Sequence, residues 1–308
     1  MTAGDSLKLT AYFGERQRSG NRFLAEALLD LYAEQKVATS VMLRGIAGFG
    51  PRQRLRSDKS LSLSEDPPVA TVAIDTRDKI ARLMDHVVDL TPRGLITAER
   101  AQLVDGDDPV SVQSGHGATK LTVYTGRHQR IDGVPAFRAI CDLLYREGVA
   151  GASVLLGVDG TTRGARHRAR FLSGNVEVPL MIISVGDADN ISRVVPRLEA
   201  MLDQPLFTVE RVQVCKRDGD LRARPDMLPS VDGDGRALWQ KLMIYTSSDA
   251  LYGGLPIHRF LIRRLRSSRT SSGATVLRGL WGFHGQREPH GDKLFQLTRQ
   301  VPVTTVIV

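Results

Sequence analysis

Cysteine is nearly absent from this 308-residue sequence: Cys141 and Cys215 stand far apart, with no CxxC spacing. That pattern excludes a disulfide scaffold and a thiolate metal cluster, and leaves two reduced, buried thiols as the expectation. No apolar run approaches the ~20 residues that a bilayer crossing requires. Met1–Ser6 has no basic stretch leading into an apolar one, so no secretory leader is expected and the cytoplasm is the expected compartment. His86, His116, His128, His167, His258, His284 and His290 show no HxxxH spacing, and no GxSxG elbow appears. No carboxylate pair recurs in a way that suggests acid–base work, so an enzyme and a metal site are not expected.

What is present is a globular composition, with 42% hydrophobic residues, too many for a disordered chain. The formal net charge of +8 invites a nucleic-acid reading, but it is unevenly distributed. Residues 221–308 carry 13 Lys+Arg against 6 Asp+Glu, whereas residues 1–110 carry 15 against 16. The excess therefore belongs to one segment and is not a stripe along the whole chain.

A repeat organises the sequence. Lys8-Leu9-Thr10-Ala11-Tyr12 recurs as Lys120-Leu121-Thr122-Val123-Tyr124 and as Lys241-Leu242-Met243-Ile244-Tyr245. The correspondence continues through Gly45/Gly157, Gly48/Gly160, Pro68/Pro179 and Glu99-Arg100/Glu210-Arg211. A third copy keeps Gly279, Gly282 and Val301-Pro302-Val303. The domains are read as 1–106, 118–218 and 237–308, the last lacking a second helix and a last strand. Polar linkers rich in Gly, Asp, Ser and Pro separate them.

Each full copy reads as βαββαβ. In copy one a strand over Leu7–Phe13 leads into a helix over Arg22–Gln35, where Leu24, Ala27, Leu28, Leu31 and Tyr32 form one apolar face. A strand over Val37–Arg44 ends in a Gly-punctuated turn and a long polar loop. The nearly continuous apolar run Val69–Ile74 reads as a strand buried on both faces. A helix over Thr76–Leu90, capped by Asp75 or Thr76, and a strand over Leu95–Val104 close the unit. The expected fold class is α+β, as tandem ferredoxin-like βαββαβ domains. The sheet face away from the helices needs a cover, so self-association or an intramolecular pseudo-trimer is expected.

Two residue sets point to ligand chemistry. Gly45, Gly48 and Gly50, Gly157 and Gly160, and Gly279 and Gly282 recur after the second strand, where backbone N–H groups could cradle an anion. The alternative is a plain tight turn. The loops that follow are basic: Arg52, Arg54, Arg56 and Lys59 in copy one, and Arg163, Arg166, Arg168 and Arg170 in copy two. Guanidinium groups at alternate positions suit phosphate or carboxylate, and a solvated basic loop is the alternative. Glu99-Arg100 and Glu210-Arg211 read as inter-strand or inter-subunit ion pairs, because neighbours on a strand face opposite ways.

Arg44-Gly45-Ile46-Ala47-Gly48-Phe49-Gly50, Arg56-Ser57-Asp58 and the run from Ser60 to Val69 resemble the signature of domain-of-unknown-function family 190. That family in turn resembles the PII signalling proteins. The resemblance covers copy one and weakens through copies two and three. It implies a compact PII-like trimer with nucleotides in clefts between neighbouring units. The loop base Gly48, Gly50 and Arg52 and the turn Pro92-Arg93-Gly94 would lie beside those clefts. Arg93-Gly94 lacks the full Gly- and Lys-bearing phosphate turn of PII proteins, and copy two has Gln204-Pro205 there. The expected ligand is therefore an adenine nucleotide or a smaller anion, with no cofactor.

The resemblance also implies a protein partner, a membrane channel or transporter being one class, met by the basic loops. The expected function is a non-catalytic signalling protein, with a scaffolding oligomer lacking any small ligand as the alternative. An RNA-recognition reading fails because the third strands supply no aromatic for base stacking, so nucleic acid is not an expected partner.

Overall fold

The computed structural model describes residues 5–57, 66–106, 117–168, 178–224, 229–233, 235–269, 271–291 and 300–308. Copy one supplies β1 (Ser6–Gly14), α1 (Leu24–Glu34), β2 (Thr39–Phe49), β3 (Pro68–Thr76), α2 (Arg77–Leu90) and β4 (Leu95–Asp105). Copy two supplies β5 (Ala118–Gly126), α3 (Ala136–Arg146), β6 (Gly151–Thr162), β7 (Pro179–Asp187), α4 (Ala188–Met201) and β8 (Leu206–Val212). Copy three supplies β9 (Leu242–Ser247), α5 (Ile257–Ser268), β10 (Ala274–His284) and β11 (Pro302–Ile307). Shorter pairings add to these, including Arg56–Ser57 on β2 and Ala165–Arg168 on β6.

These strands do not form separate tandem α+β domains of the ferredoxin-like kind, and that expectation is corrected here. The strands of all three copies join into a closed antiparallel barrel, in the order β2–β10–β6–β7–β5–β8–β4–β1–β3 and back to β2. β11 pairs with β10, and β9 pairs with β11, as a branch from that circuit.

The reason lies in the length of the second strand of each copy. The sequence pattern ends it at the first glycine, but β2 runs 11 residues, β6 runs 12 and β10 runs 11. A strand that long outlasts its own copy's sheet, and its two halves pair with different neighbours. Thr39–Leu43 of β2 pairs with β6, and Gly45–Phe49 pairs with β10. The remaining half of β6, Gly151–Leu155, pairs with Gly279–His284 of β10. Each of these three pairings shifts register beside one of the recurrent glycines. The second closure is made by β4 and β8, where Gln102–Asp105 pairs with Leu206–Val209.

Both faces of the barrel wall are buried. Outside, the helices of copy one cover the sheet with Leu24, Leu28, Tyr32, Ile80, Leu83 and Val87, packed on Leu9, Ala11 and Phe13. Copy two repeats this with Ile140, Leu144, Ile191, Val194 and Leu198 on Leu121 and Val123. Copy three has a smaller core around Ile262, Val276, Val303 and Ile307. Inside, Val41, Val72, Tyr124, Leu155, Met181, Leu277 and Val306 meet from all three copies. This interior is the cover that the sheet face requires. Two-sided burial also explains why β1 is buried at nearly every position although polar and apolar residues alternate along it.

The expected cap of α2 takes another role. The Asp75 carboxylate accepts from the backbone N–H of Ala38 at 2.8 Å and of Thr76 at 2.7 Å, tying the start of α2 to the approach of β2. Cys141 is buried, whereas Cys215 is only half-buried. No described helix is long and apolar enough to cross a membrane.

The glycine positions give a direct stability test. A Cβ on Gly48 would stand 2.5 Å from the Ala274 carbonyl oxygen, whereas one on Gly50 would meet nothing within 4 Å. Gly48→Ala should lose about 1–3 kcal/mol or more by forcing two backbones apart. Gly50→Ala should stay within about 0.5 kcal/mol of wild type. Urea unfolding midpoints of both variants check this.

Candidate functional site

Gly45, Gly48, Gly157, Gly160, Gly279 and Gly282 lie within strands at the junctions between copies, which corrects the expectation that they form turns, and Gly50 follows the end of β2. Gly45 and Gly48 close on Pro68 and on the carbonyls of Val276 and Ala274 in copy three. Gly157 and Gly160 close on Pro179, and Gly160 also closes on the Ser40 carbonyl of copy one. Gly279 and Gly282 close on Pro302 and on the carbonyls of Val154 and Ala152 in copy two. Each proline opens its strand, where the missing N–H costs no ladder bond. Close backbone approach is what these glycines supply here.

Most of the singled-out arginines are held in ion pairs. Arg44 meets Glu15 at 2.8 Å, and Arg56 meets Asp66 at 2.8 Å. Arg163 meets Asp105 at 2.8 Å and donates to Gln204 Oε1 at 2.6 Å. Arg166 binds Asp159 at 2.6 Å and also Asp30, while Arg168 reaches Glu26 at 3.0 Å. Asp30 and Glu26 sit on α1, so the basic segment of copy two is fastened across the seam onto copy one. Arg93 is exposed, and its carbonyl accepts from Gln17 Nε2. A Cβ on Gly94, whose φ is +143°, would stand 2.6 Å from the Tyr12 carbonyl. Arg54 is exposed on the segment after β2. Lys59, Arg170 and the Ser60–Glu65 motif lie outside the described residues.

Arg52 is placed differently. It lines a cleft of about 550 Å³ with Pro51, Gln53, Arg269, Ser271 and Ser272, where the end of β2 meets the connection from α5 to β10. The cleft thus lies between copy one and copy three. Among the described residues, neither Arg52 nor Arg269 is paired with a carboxylate. Gln53 Oε1 and Ser271 Oγ are buried there without a hydrogen-bond partner. Arg269, Ser271 and Ser272 had no signal in the sequence, because nothing local brings them to Arg52.

At the barrel interior lies a second group, made of Lys8, Lys120 and Lys241, which mark the repeat, and of Glu99 and Glu210, expected in inter-strand ion pairs. Lys8 Nζ lies 2.6 Å from Glu210 and 3.0 Å from Glu99. Lys120 lies 2.7 Å from Glu210, and Lys241 lies 2.6 Å from Glu99. These pairs join first strands to last strands within and between copies. A lysine at the same place in all three repeats was the available signal.

Titration in this group follows the local count of opposite charges. Burial opposes the charge of Lys8, but Glu210 and Glu99 outweigh it, and its pKa is raised well above the ordinary lysine value. Burial and then the Lys8 charge push Lys120 down to about 8, with Glu210 and Glu99 only partly offsetting them. Burial would raise Glu99, yet Lys8 and Lys241 hold it well below the usual carboxylate range. Glu210 is likewise lowered, by Lys8 and Lys120 against its burial. Among the described residues, no group of three His, Cys, Asp or Glu side chains gathers where it could hold a metal ion.

Comparison with known proteins gives a family and no chemistry. The sequence profile of the DUF190 family, described as "Uncharacterized ACR", matches residues 6–103, 118–214 and 239–308. A UPF0166 protein of Aquifex aeolicus is 36% identical over 74 residues, which is 24% of this chain and 70% of that protein. UPF0166 protein MJ1524 of Methanocaldococcus jannaschii is 34% identical over 99 residues, 31% of this chain and 90% of its own. A solved structure titled as a study of an anthrone oxidase-like protein overlays 67% of this chain and 93% of its own. Its identity is 11% and its TM-score 0.18, too low to carry an argument.

The lysine–glutamate group predicts two limbs of a stability profile. Glu99 and Glu210 have folded pKa values below the ordinary 4.5. Their contribution is present above about pH 4.5 and is lost as pH falls through the lowered folded values. Glu210→Gln should cost about 3–5 kcal/mol at pH 7, because it strips both Lys8 and Lys120 of a buried counterion. It should also flatten the acid limb. Between about 8 and 10.5 the folded Lys120 has released a proton that the unfolded chain keeps, so its contribution rises with pH. Lys120→Met should remove that rise; urea midpoints across pH 3–10.5 measure both limbs.

Proposed function

The chain belongs to the DUF190 family, and we propose that it is a non-catalytic regulatory protein that binds a small anion at the seam between its first and third copies. The observation that carries this is the Arg52/Arg269 cleft. Two guanidinium groups from different copies share one recess, with Ser271 and Ser272 beside them and no carboxylate among the lining residues. A phosphate or carboxylate suits that set, because guanidinium forks grip planar or tetrahedral oxyanions and the hydroxyls complete the donor shell.

An adenine nucleotide is the larger member of this ligand class, bound through its phosphates. Arg52 stands at the base of the segment leading to Arg54 and Arg56, so an occupied cleft changes the charge balance of that loop. A ligand that prefers one loop arrangement shifts the population toward it, and a protein partner would read the result. Copy two is a poor candidate for this role, since Arg163, Arg166 and Arg168 already face carboxylates.

Thermal unfolding with ATP, ADP, inorganic phosphate and small carboxylates tests the reading. A ligand of the folded state at about 100 times its Kd adds about 2.7 kcal/mol and raises the midpoint. The rise should vanish in an Arg52→Ala, Arg269→Ala double variant. If none of these anions moves the midpoint, or the double variant keeps the full rise, the assignment is wrong.

A further inference from the structure

The hairpin and helix that follow the first strand hold matching positions in every copy, and copy three fills them with different chemistry. The hairpins pair Arg18–Ser19 with Arg22–Phe23, Arg130–Ile131 with Val134–Pro135, and Leu251–Tyr252 with Leu255–Pro256. Their first position is exposed in all three copies, so packing does not choose the residue there. Copies one and two place Arg18 and Arg130 at it, but copy three places Leu251, which is 61% exposed. Tyr252 beside it is 60% exposed and stacks on Phe260 of α5, with 4.5 Å between ring centroids. A leucine and a tyrosine thus stand clear of the surface at a hairpin tip.

The helix changes in the opposite sense. On α1, Glu26 and Asp30 hold Arg168 and Arg166 of copy two. The matching positions of α5 are Arg259 and Arg263, and Arg266 follows at helical spacing. Residues 250–287 contain seven arginines and no Asp or Glu. Among the described residues, Arg259, Arg263 and Arg266 have no carboxylate partner. Ile262 and Leu265 turn the other side of α5 onto the core of copy three, which leaves the basic side outward. Phe260, three residues before Arg263, brings the hairpin tip onto that same side. Acid has become base on the helix, and base has become apolar at the tip.

We propose that the outer side of α5 and the Leu251–Tyr252 tip form a docking surface for an anionic lipid bilayer. The arginines meet phosphate and carboxylate headgroups, and the leucine and tyrosine enter the boundary between headgroups and acyl chains. The two parts need each other, because a single weak signal gives only marginal, reversible attachment to a membrane. A polynucleotide or an acidic peptide would satisfy the arginines but offers no apolar layer to Leu251, so the aliphatic tip favours lipid. This surface is distinct from the Arg52/Arg269 cleft. The cleft lies beyond the C-terminal end of α5, and the hairpin lies at its N-terminal end. A small anion in the one and a bilayer on the other are independent readings.

Co-sedimentation of the full chain with vesicles is the test. Phosphatidylcholine vesicles containing about one-third phosphatidylserine should bind the protein, and vesicles of phosphatidylcholine alone should not. Each basic side chain near an anionic surface raises partitioning roughly fivefold, so Arg259→Glu, Arg263→Glu, Arg266→Glu together should lower it about a hundredfold. Arg82→Glu, Arg127→Glu, Arg146→Glu makes the same change in net charge at other exposed sites and should stay within about threefold of wild type. Leu251→Ser with Tyr252→Ser keeps every charge and should weaken binding about tenfold or more. All of these positions except Arg259 are exposed, and unchanged thermal midpoints establish that the variants fold. Binding that ignores phosphatidylserine, an equal loss in the Arg82 set, or full binding by the hairpin variant each overturns the proposal. So does tighter binding of polyuridylate than of charged vesicles, which would make nucleic acid the occupant.

Discussion

Backbone meeting backbone at three glycine pairs is the constraint on which the rest of this molecule depends. At Gly45/Gly48, Gly157/Gly160 and Gly279/Gly282 a long strand passes from one neighbour to the next, with a carbonyl of another copy where a side chain would stand. Because the strands β2, β6 and β10 continue past these points, three sheets become one closed wall. The wall creates the interior, and the interior gathers Lys8, Lys120 and Lys241. The same crossing brings the end of β2 against the α5–β10 connection, which sets Arg52 opposite Arg269. Both candidate sites are consequences of strand exchange.

Much of this was legible in the sequence. Periodicity gave the helices to within a residue or two, since the apolar faces of α1 and α2 are local properties. The repeat gave the order of elements in each copy, and the recurrence of glycine after the second strand marked the right positions. What they do there was not legible. Glycine is a turn signal and also a signal of close approach, and the local pattern around Gly45 does not distinguish them. Read as a turn, it ends β2 too early, and the closed barrel is lost with it. Pairing between copies depends on residues more than a hundred positions apart, beyond the reach of any spacing argument.

The arginines illustrate a related limit. Alternating guanidinium groups in a loop read as a ligand grip when the acids that meet them across the fold are far away in sequence. In the fold, Arg166 and Arg168 of copy two find Asp30 and Glu26 on α1 of copy one. Those pairs are partly exposed, so each contributes little to stability. Their effect is on orientation, since they hold one copy's edge strand against its neighbour's helix. Fusion permits this specialisation: with three copies on one chain, one basic segment can become a clasp while another stays available.

Fusion has a cost during synthesis. Copy one leaves the ribosome first, and its β2 and β4 then present bare edges. Their partners in β6, β8 and β10 begin about a hundred to over two hundred residues later. At roughly 5–20 residues per second this delay lasts seconds. Throughout it, two adjacent nascent chains on one message carry matching edges and could zip to each other instead. A trimer of separate short subunits completes each edge from a finished pool. This chain must wait for itself.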